Sequence, residues 1–498
     1  MKLYLKNHNY RYATEQMLLT LFPGEKPEYP VEPPGEGESA LTLSLSVGRS
    51  WATGHAVLLR DGKRYSRFAR APAPPSEAGR LERDRVLQRV LKNAFYRAGT
   101  QALGKEPPWG ALTGVRPVKL PTRDLERGLS PREAEGRLRD LYRVSAPRRR
   151  LAMDCAIAAA AVQSALEPRD LSLYVGIPFC PTRCAYCSFI SADTRRSLAL
   201  VEPYLEALLR EIEAAGASLE RAGRRVKSVY FGGGTPTTLS APQLDRLMGA
   251  LEGHVDLSGC MEYTVEAGRP DTITPEKLDV LKSHGCDRIS VNPQTMEDHV
   301  LRAVGRAHTA GDILSAWAMV ERAGFSCVNM DLIAGLPADS VPGFRRSLDT
   351  VLALGPENVT VHTLALKKGS RLMSEGDGLP GPGEVADMLD YAWETLREAG
   401  YAPYYLYRQK YMSGGFENVG WCRPGTESVY NICMMEELHS ILSLGAGGVT
   451  KLIDPENGSL VRISNPKYPK EYLENIDHMI RQKEEIECPI NWKKSTES

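Results

Sequence analysis

Tyr174-Val-Gly-Ile-Pro-Phe-Cys180-Pro-Thr-Arg-Cys184-Ala-Tyr-Cys187 sets three cysteines at C-x3-C-x2-C spacing directly behind an apolar stretch that reads as a β-strand. Three thiolates hold three irons of a 4Fe-4S cluster and leave the fourth iron open, whereas simple electron storage calls for four cysteines. An open iron binds a substrate or cosubstrate, so this loop points to chemistry at a cluster. Structural zinc sites close with four ligands, usually as paired knuckles, and no second pair lies near the segment. Bacterial ferredoxin spacing, C-x2-C-x2-C, does not match either. Cys180, Cys184 and Cys187 are the expected metal ligands.

Working outward, 498 residues with 42% hydrophobic and 25% charged composition are enough for one large core and a smaller one. Lys plus Arg equals Asp plus Glu at 62 each, so the chain as a whole lacks the basic field that attracts nucleic acid or an anionic membrane. No nucleic-acid partner is expected. The longest apolar run, Ala156 to Val162, is far short of a membrane span, and Met1-Lys-Leu-Tyr-Leu-Lys lacks the apolar core of a signal peptide. A cytoplasmic location is the expectation. Cys155, Cys260, Cys286, Cys327, Cys422, Cys433 and Cys488 are scattered singly, which suits reduced thiols without a ligand role.

Pattern and composition divide the chain into residues 1–165, 166–370 and 371–498. The first part reads as an α+β domain. A helix is predicted from Arg11 to Leu21, and a Pro/Gly/Glu-rich loop from Pro23 to Glu38. Alternating strands follow in Ala40-Leu-Thr-Leu-Ser-Leu-Ser-Val and Gly54-His-Ala-Val-Leu-Leu, with Asp61-Gly62 as a hairpin turn. Helices are predicted from Ser76 to Ala98 and from Pro131 to Ala165, the second capped by Ser130. From Leu171 apolar strands alternate with amphipathic helices. Strands are expected at Leu171–Val175, Val226–Phe231, Met261–Glu266, Arg288–Val291, Cys327–Ile333 and Asn358–Thr363, with helices at about 200–219, 241–252, 275–284, 311–323 and 341–353. Six such units with right-handed crossovers make a partial (β/α)6 barrel of the α/β class. The last part is an α+β extension on the substrate side. Ligands of such folds gather at the C-terminal ends of the strands.

Further motifs fall at those ends. Phe231-Gly-Gly-Gly-Thr-Pro-Thr237 removes every Cβ from a turn, so backbone groups can approach a bound molecule. No Gly-Lys-Ser/Thr follows, which favours a small ligand bearing an amino and a carboxylate group over a nucleoside triphosphate. Glu266, Gln294 and Asp331 each lie in or just after a strand. Singly they read as hydrogen-bonded core or cap residues; together they form a polar pocket.

Cys180-x3-Cys184-x-Tyr186-Cys187, Gly232-Gly-Gly-Thr-Pro-Thr, Val265-Glu266, Pro293-Gln294, Arg306 twelve residues on, and Met330-Asp331-Leu-Ile-Ala-Gly-Leu-Pro337 resemble the radical S-adenosylmethionine enzymes of the oxygen-independent coproporphyrinogen III oxidase group. Tyr404-Tyr-Leu-Tyr-Arg-Gln-Lys410, Glu417-Asn-Val-Gly-Trp421 and Leu444-Gly-Ala-Gly-Gly448 extend the resemblance to its HemZ-type coproporphyrinogen dehydrogenase branch. The resemblance implies that the three cysteines bind a 4Fe-4S cluster whose open iron takes S-adenosylmethionine. Tyr174, Gly233, Glu266 and Val449 would contact that cosubstrate. Tyr186, Gly234, Thr235, Gln294, Arg306, Asp331 and Ala365 would line a neighbouring position, which in the related oxidase holds a second S-adenosylmethionine. One or two such molecules are thus implied.

The chemistry implied is one-electron cleavage of the sulfonium to methionine and a 5′-deoxyadenosyl radical, then hydrogen abstraction from a propionate of coproporphyrinogen III. Loss of carbon dioxide and an electron gives a vinyl group, and two rounds give protoporphyrinogen IX in haem biosynthesis. A one-electron donor of flavodoxin or ferredoxin type is required. Arg306, Arg408 and Lys410 are candidate partners for the anionic propionates. Two positions depart from the established oxidases: Phe189 replaces a further cysteine and Gly176 a histidine. Tyr430-Asn-Ile-Cys-Met-Met435 stands where related haem chaperones carry His-Asn-x-x-Tyr-Trp. Haem binding or delivery, and a different radical reaction on a tetrapyrrole, are the alternative readings, with Tyr430, Cys433 and His439 as candidate haem contacts.

Overall fold

The alternation of apolar and polar residues in Ala40–Val47 and Trp51–Arg60 buries Leu41, Leu43, Leu45, Ala52, Ala56 and Leu58 on one face of a sheet. In the computed structural model all residues are described except 33, 34, 36, 37, 188–191, 194–196, 367–369, 373–377, 410–412, 455–457 and 485–498. The chain forms two units, Met1–Met153 with Gly414–Phe416, and Asp154–Ser413 with Glu417–Ser498.

The first unit has a four-stranded sheet in the order β1 (Lys2–Lys6), β2 (Ala40–Val47), β3 (Trp51–Arg60) and β4 (Lys63–Pro72). Asp61 and Gly62 both take positive φ, 50° and 69°, and close the β3–β4 hairpin as their residue types predict. Helix α1 spans Arg11–Leu21, and α2 spans Arg80–Leu103, later than the Ser76 start because Gly79 caps it, and longer because left-handed Gly104 ends it. One apolar core joins α1, α2 and the sheet through Met17, Leu18, Leu91 and Phe95. The helical zone from Pro131 to Ala165 is two helices, α3 (Pro131–Tyr142) and α4 (Ala146–Ser164), broken at Arg143, which takes φ 61°. Ser130 caps the first of them in a capping box with Glu133. Charge divides with the units. Met1–Met153 carries 28 Lys and Arg against 16 Asp and Glu, the remaining residues 34 against 46, and Gly414–Phe416 none.

The second unit is an α/β partial barrel. Its parallel strands β5 (Asp170–Ile177), β6 (Arg225–Gly233), β7 (Glu262–Glu266), β8 (Arg288–Ser290), β9 (Cys327–Ala334) and β10 (Asn358–Thr363) lie in sequence order within an eleven-stranded sheet. Between them run α5 (Val201–Arg221), α6 (Ala241–His254), α7 (Pro275–Ser283), α8 (Ala310–Ala323) and α9 (Val341–Leu354). The strands read as near-continuous apolar runs because both faces are covered: β5 is buried at seven of its eight residues. The last part of the chain extends this sheet at both edges. β11 (Ala402–Tyr407) and β12 (Asn418–Cys422) form an antiparallel pair beside β10. β13 (Ser440–Leu444) lies parallel to β5, followed by antiparallel β14 (Val449–Ile453) and β15 (Leu460–Ser464). The parallel run thus has a seventh strand that the six-strand expectation lacks. Among the described residues no helix is long and apolar enough to cross a membrane.

Candidate functional site

The β5–β6 edge of the barrel carries the loop with the three thiols. Ile177 O and Phe179 O accept from Gly234 N and Thr235 N at 2.8 and 2.7 Å, which ties this loop to the glycine turn after β6. A Cβ at Gly234 would collide with the Phe179 carbonyl, and Gly233 takes φ 110°, so both positions need glycine. Cys180 Sγ lies 3.4 Å from Thr235 Oγ1. Ala185 N donates to Val304 O at 2.9 Å, and Cys187 N to Cys184 O at 3.2 Å.

Arg269, just past β7, is 3% exposed and bonds three ways. Its Nε and one terminal nitrogen fork onto the Asp271 carboxylate, both at 3.0 Å, and its other terminal nitrogen donates to Thr182 Oγ1 at 3.0 Å and Thr182 O at 3.4 Å. Thr182 lies between Cys180 and Cys184, so this arginine clamps the thiol loop. His308 packs behind the fork, 3.7 Å from Asp271 and 3.4 Å from Arg306. Burial raises the Asp271 carboxyl, but His308 and Arg269 outweigh it and hold the group well below the usual range. Burial also opposes ionisation of the Cys184 thiol, yet the Arg306 and Arg269 charges bring it below its ordinary value. A thiol biased toward thiolate is what a cluster ligand needs.

A cavity of about 370 Å³ opens over the C-terminal ends of the strands, and twelve of the fourteen candidate residues line it: Cys180, Cys184, Cys187, Tyr186, Gly233, Gly234, Thr235, Glu266, Gln294, Arg306, Asp331 and Ala365. The remaining two lie behind its wall. Tyr174 is stacked 6.3 Å from Tyr230, and Val449 begins β14 beside Gly448, where an added Cβ would be 3.4 Å from the Tyr174 ring. Tyr230 OH donates to Glu266 at 2.5 Å, and Tyr430 stacks on Tyr230 at 4.4 Å between centroids. Desolvation pushes the Glu266 carboxyl up to about 7, with the neighbouring Asp331 charge adding to it. Asp331 is treated differently. Burial raises it, but His362, Asn329 and Thr360 prevail and keep it below its ordinary value; Asn329 Nδ2 donates at 2.7 Å and His362 Nε2 lies at 3.6 Å.

Gln294 takes the left-handed φ of 69°, a strained conformation for a non-glycine residue. Two backbone bonds to β9 hold it there, from Gln294 N to Asp331 O and from Ile333 N to Gln294 O. Arg306 is buried, and one terminal nitrogen donates to Asn292 O at 2.6 Å. Its Nε, with Ser290 Oγ and Asn292 Oδ1, is buried without a hydrogen-bond partner, and all three residues line the cavity. Such orphaned polar atoms mark a place for a polar ligand.

Of the other cationic candidates, Arg408 is no surface residue and does not line the cavity. Burial lowers its guanidinium to about 10, against the pull of Glu417. Lys410, Phe189 and Cys488 lie outside the described residues. The six other single cysteines are free thiols. Gly176 has a clear spatial cause: a Cβ there would be 2.6 Å from Ala446 O, in the turn between β13 and β14. Tyr204 OH pins that approach, donating to Gly176 O at 2.6 Å and accepting from Ala446 N at 2.8 Å.

Sequence reading missed Thr182, Arg269, Asp271, His308 and His362. Arg269 and Asp271 directly follow the end of β7, which is the signal that could have found them. The donor set fits a 4Fe-4S cluster with a small zwitterionic cosubstrate: three thiols on one loop, one biased to thiolate, beside a glycine cradle and unpaired polar atoms. Among the described residues no three His, Cys, Asp or Glu side chains converge on a point that one metal ion would fill. Three irons of a cluster offer three separate positions, so its ligands need no such convergence.

The chain matches the radical SAM superfamily model over residues 174–348. It is 41% identical over 380 residues to the oxygen-independent coproporphyrinogen-III oxidase-like protein HemZ of Bacillus subtilis, covering 75% of this chain and 76% of that one. It is 30% identical to the heme chaperone HemW of Lactococcus lactis over 55% of this chain and 68% of that one. Among solved structures, the coproporphyrinogen III oxidase HemN of Escherichia coli, a radical SAM enzyme, superposes with a TM-score of 0.51 at 27% identity, over 64% of this chain and 73% of that one.

Proposed function

Because the chain belongs to the HemN/HemZ group of the radical SAM superfamily, we propose that it carries out the oxygen-independent oxidative decarboxylation of coproporphyrinogen III to protoporphyrinogen IX. The single observation that carries the reading is the convergence on one cavity of the three-thiol loop, the glycine cradle and the paired environments of Glu266 and Asp331.

Bound together, a 4Fe-4S cluster and S-adenosylmethionine supply a one-electron sulfonium cleavage and, with it, hydrogen-atom abstraction from a substrate carbon. Cys180, Cys184 and Cys187 would hold the cluster, with Arg269 fixing the loop between the first two through Thr182. The Gly232–Gly234 backbone and Glu266 would hold the cosubstrate; an ionised Glu266 complements its positive charge. Tyr174 and Tyr230 pack behind this position, and Tyr230 orients the Glu266 carboxyl through its hydroxyl hydrogen bond. Gln294, Arg306 and Asp331 would fix the neighbouring group, whether a second cosubstrate or part of the tetrapyrrole. Arg306 is the one propionate partner among the three cationic candidates that lines the cavity. The protein's part is to set the reacting carbon against the radical source and to keep water away from it.

Haem delivery, the function named for the HemW relatives, is less well supported. Tyr430, Cys433 and His439 are all buried within the fold. His439 Nε2 is 2.7 Å from Ser172 Oγ, and burial lowers its imidazole to about 4.

The test is an anaerobic assay of the reconstituted protein with reductant, S-adenosylmethionine and coproporphyrinogen III. Stepwise loss of two carboxyl groups, matched by 5′-deoxyadenosine, is the expected result. Deoxyadenosine with an unchanged tetrapyrrole would move the search to another substrate. Neither product, with a defined Soret shift on haem addition, would overturn the reading in favour of haem delivery.

A further inference from the structure

The two units carry opposite net charge, and the reaction proposed above draws one electron from outside the protein for each cleavage. On that reading, we propose that the open face of the N-terminal sheet docks a small acidic one-electron carrier protein. In the transfer the carrier is oxidised by one electron and the cluster reduced by one, and no bond is made or broken.

The face is defined by the strand register. Ala52, Gly54, Ala56 and Leu58 are buried on the side packed against α2, and a Cβ at Gly54 would lie 2.9 Å from Val90 O. The alternate residues Trp51, His55 and Leu59 therefore point the other way. Opposite His55 on β4 stands Phe68, opposite Thr53 Arg70, and opposite Leu59 Arg64. Trp51 is 47% and Phe68 60% exposed, large apolar rings left in water on a strand face. The Arg70 guanidinium sits 4.8 Å from the Trp51 ring centre. Neither Arg64 nor Arg70 has an ion-pair partner among the described residues.

Exposed Trp and Phe flanked by unneutralised arginines have the composition of protein-interface anchors. Charge selects the partner. The excess of 28 basic over 16 acidic residues in Met1–Met153 attracts an acidic carrier, while the opposite excess elsewhere in the chain repels one. A patch of this size suits the small, transient interfaces through which redox proteins exchange electrons. The competing occupant, single-stranded nucleic acid, would use the same rings and charges, but no step of the proposed reaction involves it.

The full-length protein is tested with two reductants, dithionite and a photoreduced acidic flavodoxin, in wild type and in the Arg64→Glu/Arg70→Glu, Trp51→Ala/Phe68→Ala and Arg64→Lys/Arg70→Lys variants. In the first two, flavodoxin-supported formation of 5′-deoxyadenosine at subsaturating flavodoxin falls about tenfold at low salt, while the dithionite-supported rate stays within about twofold of wild type. The Lys variant keeps most of the flavodoxin-supported rate. Binding of fluorescently labelled flavodoxin weakens about tenfold in the Glu variant, a readout that needs no catalysis and so separates failure of the docking surface from failure of the proposed reaction. Equal flavodoxin binding and equal flavodoxin-supported rates in wild type and the Glu variant would overturn the proposal. So would oligouridylate binding wild type more tightly than flavodoxin does and losing affinity in the same variants, which would make the face a nucleic-acid platform.

Discussion

In the N-terminal unit the sheet gives one face to α1 and α2 and leaves the other in water, whereas in the barrel unit the strands are buried along both faces and open only at their C-terminal ends. Both burial patterns are read from apolar periodicity, but they lead to different chemistry. Where a sheet has a solvent face, polar and aromatic residues spread over it and meet partners in bulk water. Where strands are covered on both sides, polar residues at their ends share one low-dielectric cavity. There each charge shifts its neighbours: Glu266 is pushed up to about 7 while Asp331 a few strands away is held down. The same separation appears in charge, with a basic excess in one unit and an acidic excess in the other.

The comparison breaks most directly at Cys184. Cys184→Ala is expected to abolish both the visible absorbance of the reconstituted cluster and cleavage of S-adenosylmethionine, because two thiols cannot hold three irons. A brown, active variant would remove the barrel's strand ends from the chemistry. Next in size is the Arg269 clamp. Arg269→Gln loses the fork to Asp271 and the bonds to Thr182, and iron retention against a chelator should fall about tenfold, as is typical when a group supporting a metal ligand is removed. Arg269→Lys restores charge but not the fork and should recover only part of it. Iron retention equal to wild type in both variants would show that the loop needs no clamp.

Glu266 sharpens the contrast through pH. Its carboxyl is neutral below about 7 and ionised above it, so binding of the cationic cosubstrate should tighten as pH rises from 6 to 8. Glu266→Gln should bind more weakly and show a flat profile over the same range. Equilibrium dialysis of S-adenosylmethionine at both pH values reads this, and a wild-type profile as flat as the variant's would remove Glu266 from the pocket. The smallest effect lies in the other unit. Gly54→Ala sets a methyl group against Val90 O and should destabilise the N-terminal unit by about 1–2 kcal/mol, with cosubstrate affinity unchanged. Thermal unfolding followed beside a binding titration checks both halves of that statement.

The six barrel strands and the thiol loop were legible because each is encoded locally. Apolar runs such as Leu171–Val175 need only their neighbours in sequence to be recognised, and three cysteines within eight residues need only their spacing. Features that depend on distant parts of the chain were not legible. Ser440–Leu444 is a short apolar run whose pairing with β5 is decided by a surface assembled from the first half of the chain. Gly176 looked like a departure from a family pattern until the Ala446 carbonyl proved to occupy the place of its side chain. The break at Arg143 was hidden because arginine carries no left-handed preference that would announce it. Arg269 lacked a recognisable motif, and its meaning came only from Thr182 lying within reach. The even total of 62 basic and 62 acidic residues concealed two units of opposite sign, so the exclusion of anionic partners drawn from that total applies to neither unit separately.

The central claim is that the cavity over the strand ends sets a propionate carbon of coproporphyrinogen III against the radical source. Coproporphyrinogen III deuterated on its propionate side chains, in a single anaerobic turnover followed by mass analysis of the 5′-deoxyadenosine, tests it most directly. Deuterium in the 5′-deoxyadenosine, matched by loss of a carboxyl group from the tetrapyrrole, is the result the account predicts. Unlabelled 5′-deoxyadenosine beside an intact tetrapyrrole would contradict it.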